Sequence, residues 1–278
     1  MTSNNNLKLD DYYDEGLTYN DIIKRIYDNE IDINIKDVSK STILYESINR
    51  NDLETIKCML KHGADINNRN SDGDTPLIWS ARVKKHDCIK LLLDNGADVD
   101  AKNDNGWTAL YFTVYENNYD MTKYLLEHGA DVNIVNRFNE TVIYTAIINK
   151  HKLIDNIESV IKNKTNINDD DLMKLHSIIY EKVNRENINN FLLEHNVDSN
   201  IIDEIVIEIN NDHDKLTSYQ KIIDLLVAYG ADKNIEIEIE KCKMNEGNEI
   251  ENEKRKMNEG NEIENEDNSI VIETVNDE

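Results

Sequence analysis

The sequence predicts an all-α solenoid of stacked helix–turn–helix repeats, each of about 33 residues, followed by an acidic low-complexity C-terminal tail. Three observations carry this expectation. Gly-Ala-Asp recurs at Gly63-Ala64-Asp65, Gly96-Ala97-Asp98 and Gly129-Ala130-Asp131 at a constant interval. Thr42, Thr75, Thr108 and Thr141 keep the same interval, and so do the small residues Ser47, Ser80, Thr113 and Ala146.

Each part of the repeat has a physical role. Asp72-Gly73 is a turn signal. Thr75 is a good N-cap, and Pro76 at the first helical position gives up an N–H that would be unpaired anyway, so a first helix starts near residue 76. Ile89, Leu92 and Leu93 form one apolar stripe of a second helix. Gly96 ends that helix in the left-handed conformation glycine adopts cheaply, and Val99 continues in an extended segment toward the next turn. Thr42, Gly63, Thr75, Gly96, Thr108, Gly129, Thr141 and Gly230 are the residues expected to set the repeat.

A turn, two antiparallel helices and a loop closed by Gly-Ala-Asp resemble the ankyrin repeat. The resemblance is carried by Thr75-Pro76-Leu77, Leu91-Leu92-Leu93, Gly96-Ala97-Asp98-Val99, Thr108-Ala109-Leu110 and Gly129-Ala130-Asp131-Val132-Asn133. Where that family usually has a histidine after the Thr-Pro-Leu, this chain has Tyr45, Ile78, Tyr111 and Tyr144, so the hydrogen bonding there is expected to differ.

The expected organisation is a flexible leader (1–16), an N-terminal half-repeat or cap (17–36), repeats at 37–69, 70–102, 103–135, 136–170, 171–202 and 203–236, and the tail (237–278). Beyond residue 147 the register slips: Lys164 and Asn196 fall in the glycine slot before Gly230 restores it. In the tail, KMNEGNEIENE occurs at 243–253 and again at 256–266. A segment so acidic and so poor in aromatics cannot bury much apolar surface.

Hydrophobic residues make up 39% of the 278, enough for a sizeable core. The net charge of −25 keeps the chain soluble and disfavours direct binding to nucleic acid phosphates or anionic lipid, while steering basic partners toward it. No secretory signal and no uninterrupted apolar run of about 18 residues is present, so an intracellular location without a membrane span is expected. Cys58, Cys88 and Cys242 are odd in number and widely spaced, which argues against a disulfide framework and against a Cys-x-x-Cys metal site.

The acid–imidazole–acid group Glu127, His128 and Asp131 would attract attention as chemistry. Its register instead puts Glu127 and His128 in the last turn of a second helix and Asp131 just past the cap. His62 and His195 share the slot of His128, but slots two repeats apart are too distant to share a metal, because packed helices stand about 8–10 Å apart. No phosphate loop, nucleophile elbow, zinc-helix or EF-hand pattern occurs, so no catalytic residue, metal ligand or cofactor is expected.

In the family resembled, turn tips and first helices form a concave face that binds other proteins, which implies a noncatalytic interaction scaffold. The corresponding candidates are Asp72, Asp74, Arg82, Asn105, Trp107, Tyr115, Glu116, Arg137, Phe138 and Glu140. Trp107 and Phe138 stand in slots that are otherwise mostly polar, and aromatics with Arg dominate interface hot spots. The Asn-, Ile- and Lys-rich composition and the Gly-Ala-Asp-Val-Asn loops resemble the ankyrin-repeat proteins of giant amoeba-infecting viruses, which would imply a host protein as partner. The alternative is an electrostatic binder of basic nuclear or nucleic-acid-associated proteins acting through the acidic tail. A monomer is expected in either case.

Overall fold

The computed structural model describes residues 7–181 and 185–232. Three antiparallel helix pairs follow one another: α3 (Ile43–Arg50) with α4 (Leu53–Lys61), α5 (Pro76–Arg82) with α6 (His86–Asp94), and α7 (Ala109–Tyr115) with α8 (Tyr119–Glu127). They follow α1 (Leu9–Asp14) and α2 (Tyr19–Tyr27) and lead into α9 (Val142–Lys164), α10 (Asp169–Glu181), α11 (Arg185–Glu194) and α12 (Ser199–Ala228). The described residues form an all-α repeat fold, with one isolated bridge among them, Lys36 to Thr42.

The caps follow from residue chemistry. The hydroxyls of Thr75 and Thr108 accept bonds from the Ile78 and Tyr111 amides, each at 3.4 Å. Thr42 and Thr141 have the same extended conformation but make no such side-chain bond. At the other end, Gly63, Gly96 and Gly129 take φ of 92°, 86° and 88°. The next amide in each copy then reaches back into its helix: Ala64 to Met59 at 3.0 Å, Ala97 to Leu92 at 3.0 Å, Ala130 to Leu125 at 3.1 Å.

A second left-handed slot lies between the helices of each pair. Asn51, Lys84 and Asn117 have φ of 55°, 59° and 55°. They share the repeat interval, a periodicity that Lys84 hides from inspection. Asp52 and Asn118 then cap the second helices through the Thr55 and Met121 amides.

The core runs along the stack. Ile43, Leu44 and Ile48 on α3, Leu77 and Ile78 on α5, and Leu110 and Val114 on α7 are essentially fully buried, as are Ile56, Met59, Ile89, Leu92 and Leu125 on the second helices. Each large aliphatic contributes about 1.5–3 kcal/mol by burial. Polar rungs fix the spacing. The Asp65, Asp98 and Asp131 amides donate to Asn34, Asn67 and Asp100 of the preceding unit at 2.8, 3.1 and 2.9 Å. At the turn tips, Ser71, Asp104 and Arg137 amides donate to the Ser39, Asp72 and Asn105 carbonyls.

Two expectations change. Residues 9–14 of the supposed flexible leader form α1. Leu9 is buried, its amide donates to the Lys36 carbonyl at 2.9 Å, and Asp10 accepts from the Val38 amide at 2.7 Å. The larger change follows Thr141. The slot that is left-handed at Asn51, Lys84 and Asn117 is occupied by Lys150, which is helical, buried and bonded through Nζ to Gln220 Oε1 at 2.7 Å. With no break there, α9 runs unbroken to Lys164, and Lys164 is not a left-handed cap; Thr165 follows in extended conformation. Residues 136–170 are therefore not a helix pair. Residues 203–236 are not one either, since Ser199–Ala228 is a single helix. Asn196, in contrast, does take φ of 56° after α11.

The distal half of α9, α10, α11 and the first half of α12 pack in sequence, with α12 closing back on α9. Ile154, Ile157, Ile161, Leu175, Ile179, Ile188, Phe191, Leu192, Ile202, Ile205, Ile209 and Leu216 form a hydrophobic core of this unit. The last part of α12 then packs against α8 as well as α9. Ile222, Ile223 and Leu226 are buried in the slots of Met121, Thr122 and Leu125. Gly230 has φ of 96°, and the Ala231 amide donates to Leu226 at 3.0 Å, repeating the cap of the three regular copies. The fourth repeat is thus split. Its first helix is the start of α9, its second is the end of α12, and a four-helix unit is inserted between them. The acidic tail expected at 237–278 lies outside the described residues.

Candidate protein-binding face

The turn tips are organised by Asn70, Asn103 and Asn136, three buried asparagines at the repeat interval. The side-chain oxygen of each accepts two amides across its turn: Asp72 and Asp74, Asn105 and Trp107, Phe138 and Glu140. This holds three tips in the same shape while leaving their outward side chains free to vary. The period of these asparagines is legible in the sequence, and the candidate set omitted it.

The candidates divide by what they touch. Asp74 is fully buried. Its carboxylate accepts from Arg82 at 2.8 Å and from Asn103 Nδ2 at 2.8 Å, tying one tip to the next. Arg82 also reaches Asp72 at 3.0 Å and lies 5.8 Å from the centre of the Trp79 ring. Removing the Asp74 carboxylate would leave the buried Asn103 amide unpaired and leave the Arg82 Nη1 with Asp72 alone, so its role is to hold the tips. The hydroxyl of Tyr45, in the slot of the missing histidine, lies 2.7 Å from the carbonyls of both Asn68 and Asp74 and can donate to one at a time. Burial, followed by the nearby Asp74 charge, pushes that phenol well above its ordinary pKa.

Trp107 is also more structural than its slot predicts. Its ring is half-buried and stacks on Tyr111 with centroids 4.8 Å apart and planes 4° from parallel, while its edge meets Phe112 at 5.8 Å. Its Nε1 is buried with no hydrogen-bond partner among the described residues. Tyr111 in turn stacks on Tyr115 at 6.1 Å. Burial, then the charge of Glu140, raises the Tyr111 phenol to about 12. The stack ends in the open, since Tyr115 is 52% exposed.

Phe138 is a second open aromatic among the candidates, 41% exposed at its tip, with the Arg137 guanidinium 4.8 Å from its ring centre. Asn105 contributes its carbonyl to the Arg137 amide, and Glu140 accepts from Asn136 Nδ2 at 3.0 Å. Glu116 pairs with Lys84 at 2.5 Å beside Tyr115. A groove of about 650 Å³ opens next to it, lined by Tyr115, Asn117, Asn149, Lys152, Lys215 and Tyr219 among others.

The Glu127, His128 and Asp131 group resolves into architecture. His128 Nδ1 lies 2.8 Å from the Tyr124 carbonyl, and the rings of the two residues are 4.1 Å apart. His62 and His195 make the same bond, to Cys58 at 2.7 Å and Phe191 at 2.8 Å. In each case the imidazole gives a second hydrogen bond to a carbonyl of the last helical turn that already accepts the histidine's own amide. Asp131 accepts from the Asn133 amide at 2.8 Å. Among the described residues no group of three or more His, Cys, Asp or Glu is arranged to hold a metal, and no helix is long and apolar enough to cross a membrane.

The family model for ankyrin repeats, three copies long, matches at residues 15–103, 63–136 and 83–171. The chain belongs to the ankyrin-repeat family. No curated protein matches it. Ankyrin repeats are generally protein–protein interaction modules and typically noncatalytic scaffolds. The three overlapping matches cover α2 to α9 together. The last of them ends at residue 171, inside α10, where the ankyrin interval has already given way to the inserted helices.

Proposed function

We propose that this ankyrin chain is a noncatalytic scaffold that captures a protein partner on the face formed by its turn tips and first helices, with Tyr115, Phe138 and Arg137 as anchors. The observation that supports this most directly is the exposure of Tyr115 at the end of a first helix and Phe138 at a tip, 52% and 41%, where the first-helix aromatics Tyr45, Trp79, Tyr111 and Phe112 are packed. Asp72, Asn105, Glu116 and Glu140 would form the polar rim around them, while Asp74, Arg82 and Trp107 act chiefly by holding the tips. The Asn-, Ile- and Lys-rich composition supports an origin like that of giant-virus ankyrin proteins, and with it a host protein as the partner.

The test is affinity capture from the native cell, comparing wild type with Tyr115→Ser/Phe138→Ser. Losing a hot-spot aromatic costs about 2 kcal/mol, near thirtyfold in affinity. The double variant should retain its helical circular dichroism and lose capture; normal capture by a folded double variant would reject the reading. A second reading rests on charge, since residues 236–278 carry 15 acidic and 5 basic side chains. If that arm is the binder, deleting it should abolish capture, and capture by the wild type should fall steeply with salt.

A further inference from the structure

We infer that the inserted four-helix unit is a latch: its closure seats the outer helix of the fourth ankyrin repeat and fixes the backbone under Tyr115. The inference rests on how the two bodies share their helices. In the regular repeats a second helix follows its first after a turn of two or three residues, Asn51-Asp52, Val83-Lys84-Lys85 and Glu116-Asn117-Asn118. The second helix of the fourth repeat instead arrives from the far end of the insertion. Its position depends on α12 being held beside α9 along their full length.

The two helices are continuous through the junction. Ile147 is buried in the stack while Ile154, Ile157 and Ile161, on the same helix, are buried in the inserted core. Ile205, Ile209 and Leu216 belong to that core, and Ile222 and Leu226, further along the same helix, fill ankyrin slots. An unbroken helix transmits displacement as a rod, so loosening the inserted core loosens the seating of residues 219–231. α10 and α11 complete the circuit by packing on α9, on each other and on α12.

Where the latch meets the regular stack, it grips main chain. Tyr219 donates to the Tyr115 carbonyl at 2.9 Å, Ser218 to the Asn117 carbonyl at 3.4 Å, and Asn117 Nδ2 to the Lys215 carbonyl at 3.0 Å. Lys150 Nζ holds Gln220 from the α9 side. These bonds cluster on the α7–α8 turn, directly behind the exposed Tyr115 ring. Burial raises the Tyr219 phenol to about 12, so it remains a donor at neutral pH.

The experiment is amide exchange on the full chain, read by mass spectrometry over 43–94, 115–126, 142–181 and 216–231. Leu175 is fully buried on α10, in the inserted core. Leu175→Ala should speed exchange at least tenfold in 142–181 and also in 216–231, with 43–94 unchanged. Tyr219→Phe removes the bond to Tyr115 and leaves the inserted core intact. It should speed exchange about three- to tenfold at 115–118 and 219–226 while 165–181 stays at the wild-type rate. Loss of protection in 142–181 of Leu175→Ala with 216–231 unaffected would overturn the latch. So would a silent Tyr219→Phe.

Discussion

At the scale of single residues, backbone geometry separates glycines that look alike in the sequence. Gly129 and Gly106 both have positive φ, 88° and 78°. A Cβ at Gly129 would meet nothing within 4 Å, so Gly129→Ala should cost only the left-handed penalty of about 1–2 kcal/mol. At Gly106 the same atom would meet the Asn136 Cα at 2.9 Å and the Arg137 amide at 3.0 Å, which is main chain that cannot swing aside. Gly106→Ala should therefore be the more damaging by at least about 1 kcal/mol in urea unfolding; equal costs would show that the tip–tip contact is soft. The caps give a pH test. Asp52 is held below the ordinary carboxylate range first by the Thr55 hydroxyl, and also by the Thr55 amide and the Tyr19 phenol. A depressed carboxylate adds stability above its unfolded pKa of about 3.9 and loses it as pH falls through the folded value. Wild type should thus be more stable than Asp52→Asn at neutral pH, with the gap closing between about pH 5 and pH 2. A gap that stays constant on acidification would mean that the charge of Asp52 contributes nothing.

At the scale of elements, most of the regular stack was legible in the sequence, and the reason is physical. A residue that must adopt φ > 0, cap a helix or fit between two helices is restricted in type, so Gly63, Gly96 and Gly129, Thr75 and Thr108, and Ser47, Ser80 and Thr113 recur at one interval. The candidate face was legible only in outline. A tip slot states that a side chain leaves the turn, and Trp107 and Asp74 leave it toward neighbours, which depends on the adjoining repeat. The split repeat was hidden for a different reason. Helical periodicity survives inside the insertion, and the Gly-Ala-Asp at 230 reads the same whether its first helix lies just before it or at Val142. The geometry predicts that the split can be closed. Joining residue 150, as Lys150→Asn, directly to Tyr219 gives Thr141 and Gly230 the separation of Thr108 and Gly129, with Asn returned to the left-handed slot. The chain lacking 151–218 should fold as a contiguous fourth repeat with helical circular dichroism and amide protection over 142–150 and 219–231. Exposure of those segments while 43–127 stays protected would show that α12 does not belong to the ankyrin stack.

At the scale of the whole molecule, stability is a sum of units and of interfaces between nearest neighbours. In α3 to α8 those neighbours are also close in sequence. The fourth repeat breaks that rule, because the end of α12 must find α8 and α9 after the inserted helices have formed. Closing a long segment costs entropy before the contacts that reward it are made, so pairings distant in sequence form late. Leu92 and Leu226 test this directly. Both are fully buried in the same ankyrin slot, one in a local pair and one across the insertion. Truncating either to alanine should cost about 2–5 kcal/mol at equilibrium. The kinetic partition should differ: Leu92→Ala is expected to slow refolding, with a φ-value of about 0.5 or more, and Leu226→Ala to act mainly by speeding unfolding, with a φ-value below about 0.3. Stopped-flow fluorescence reads both limbs, with Trp79 and Trp107 in the regular stack as reporters. If Leu226→Ala slowed refolding as much as Leu92→Ala, the split repeat would have to form together with the contiguous ones, and the folding order drawn from sequence distance would be wrong.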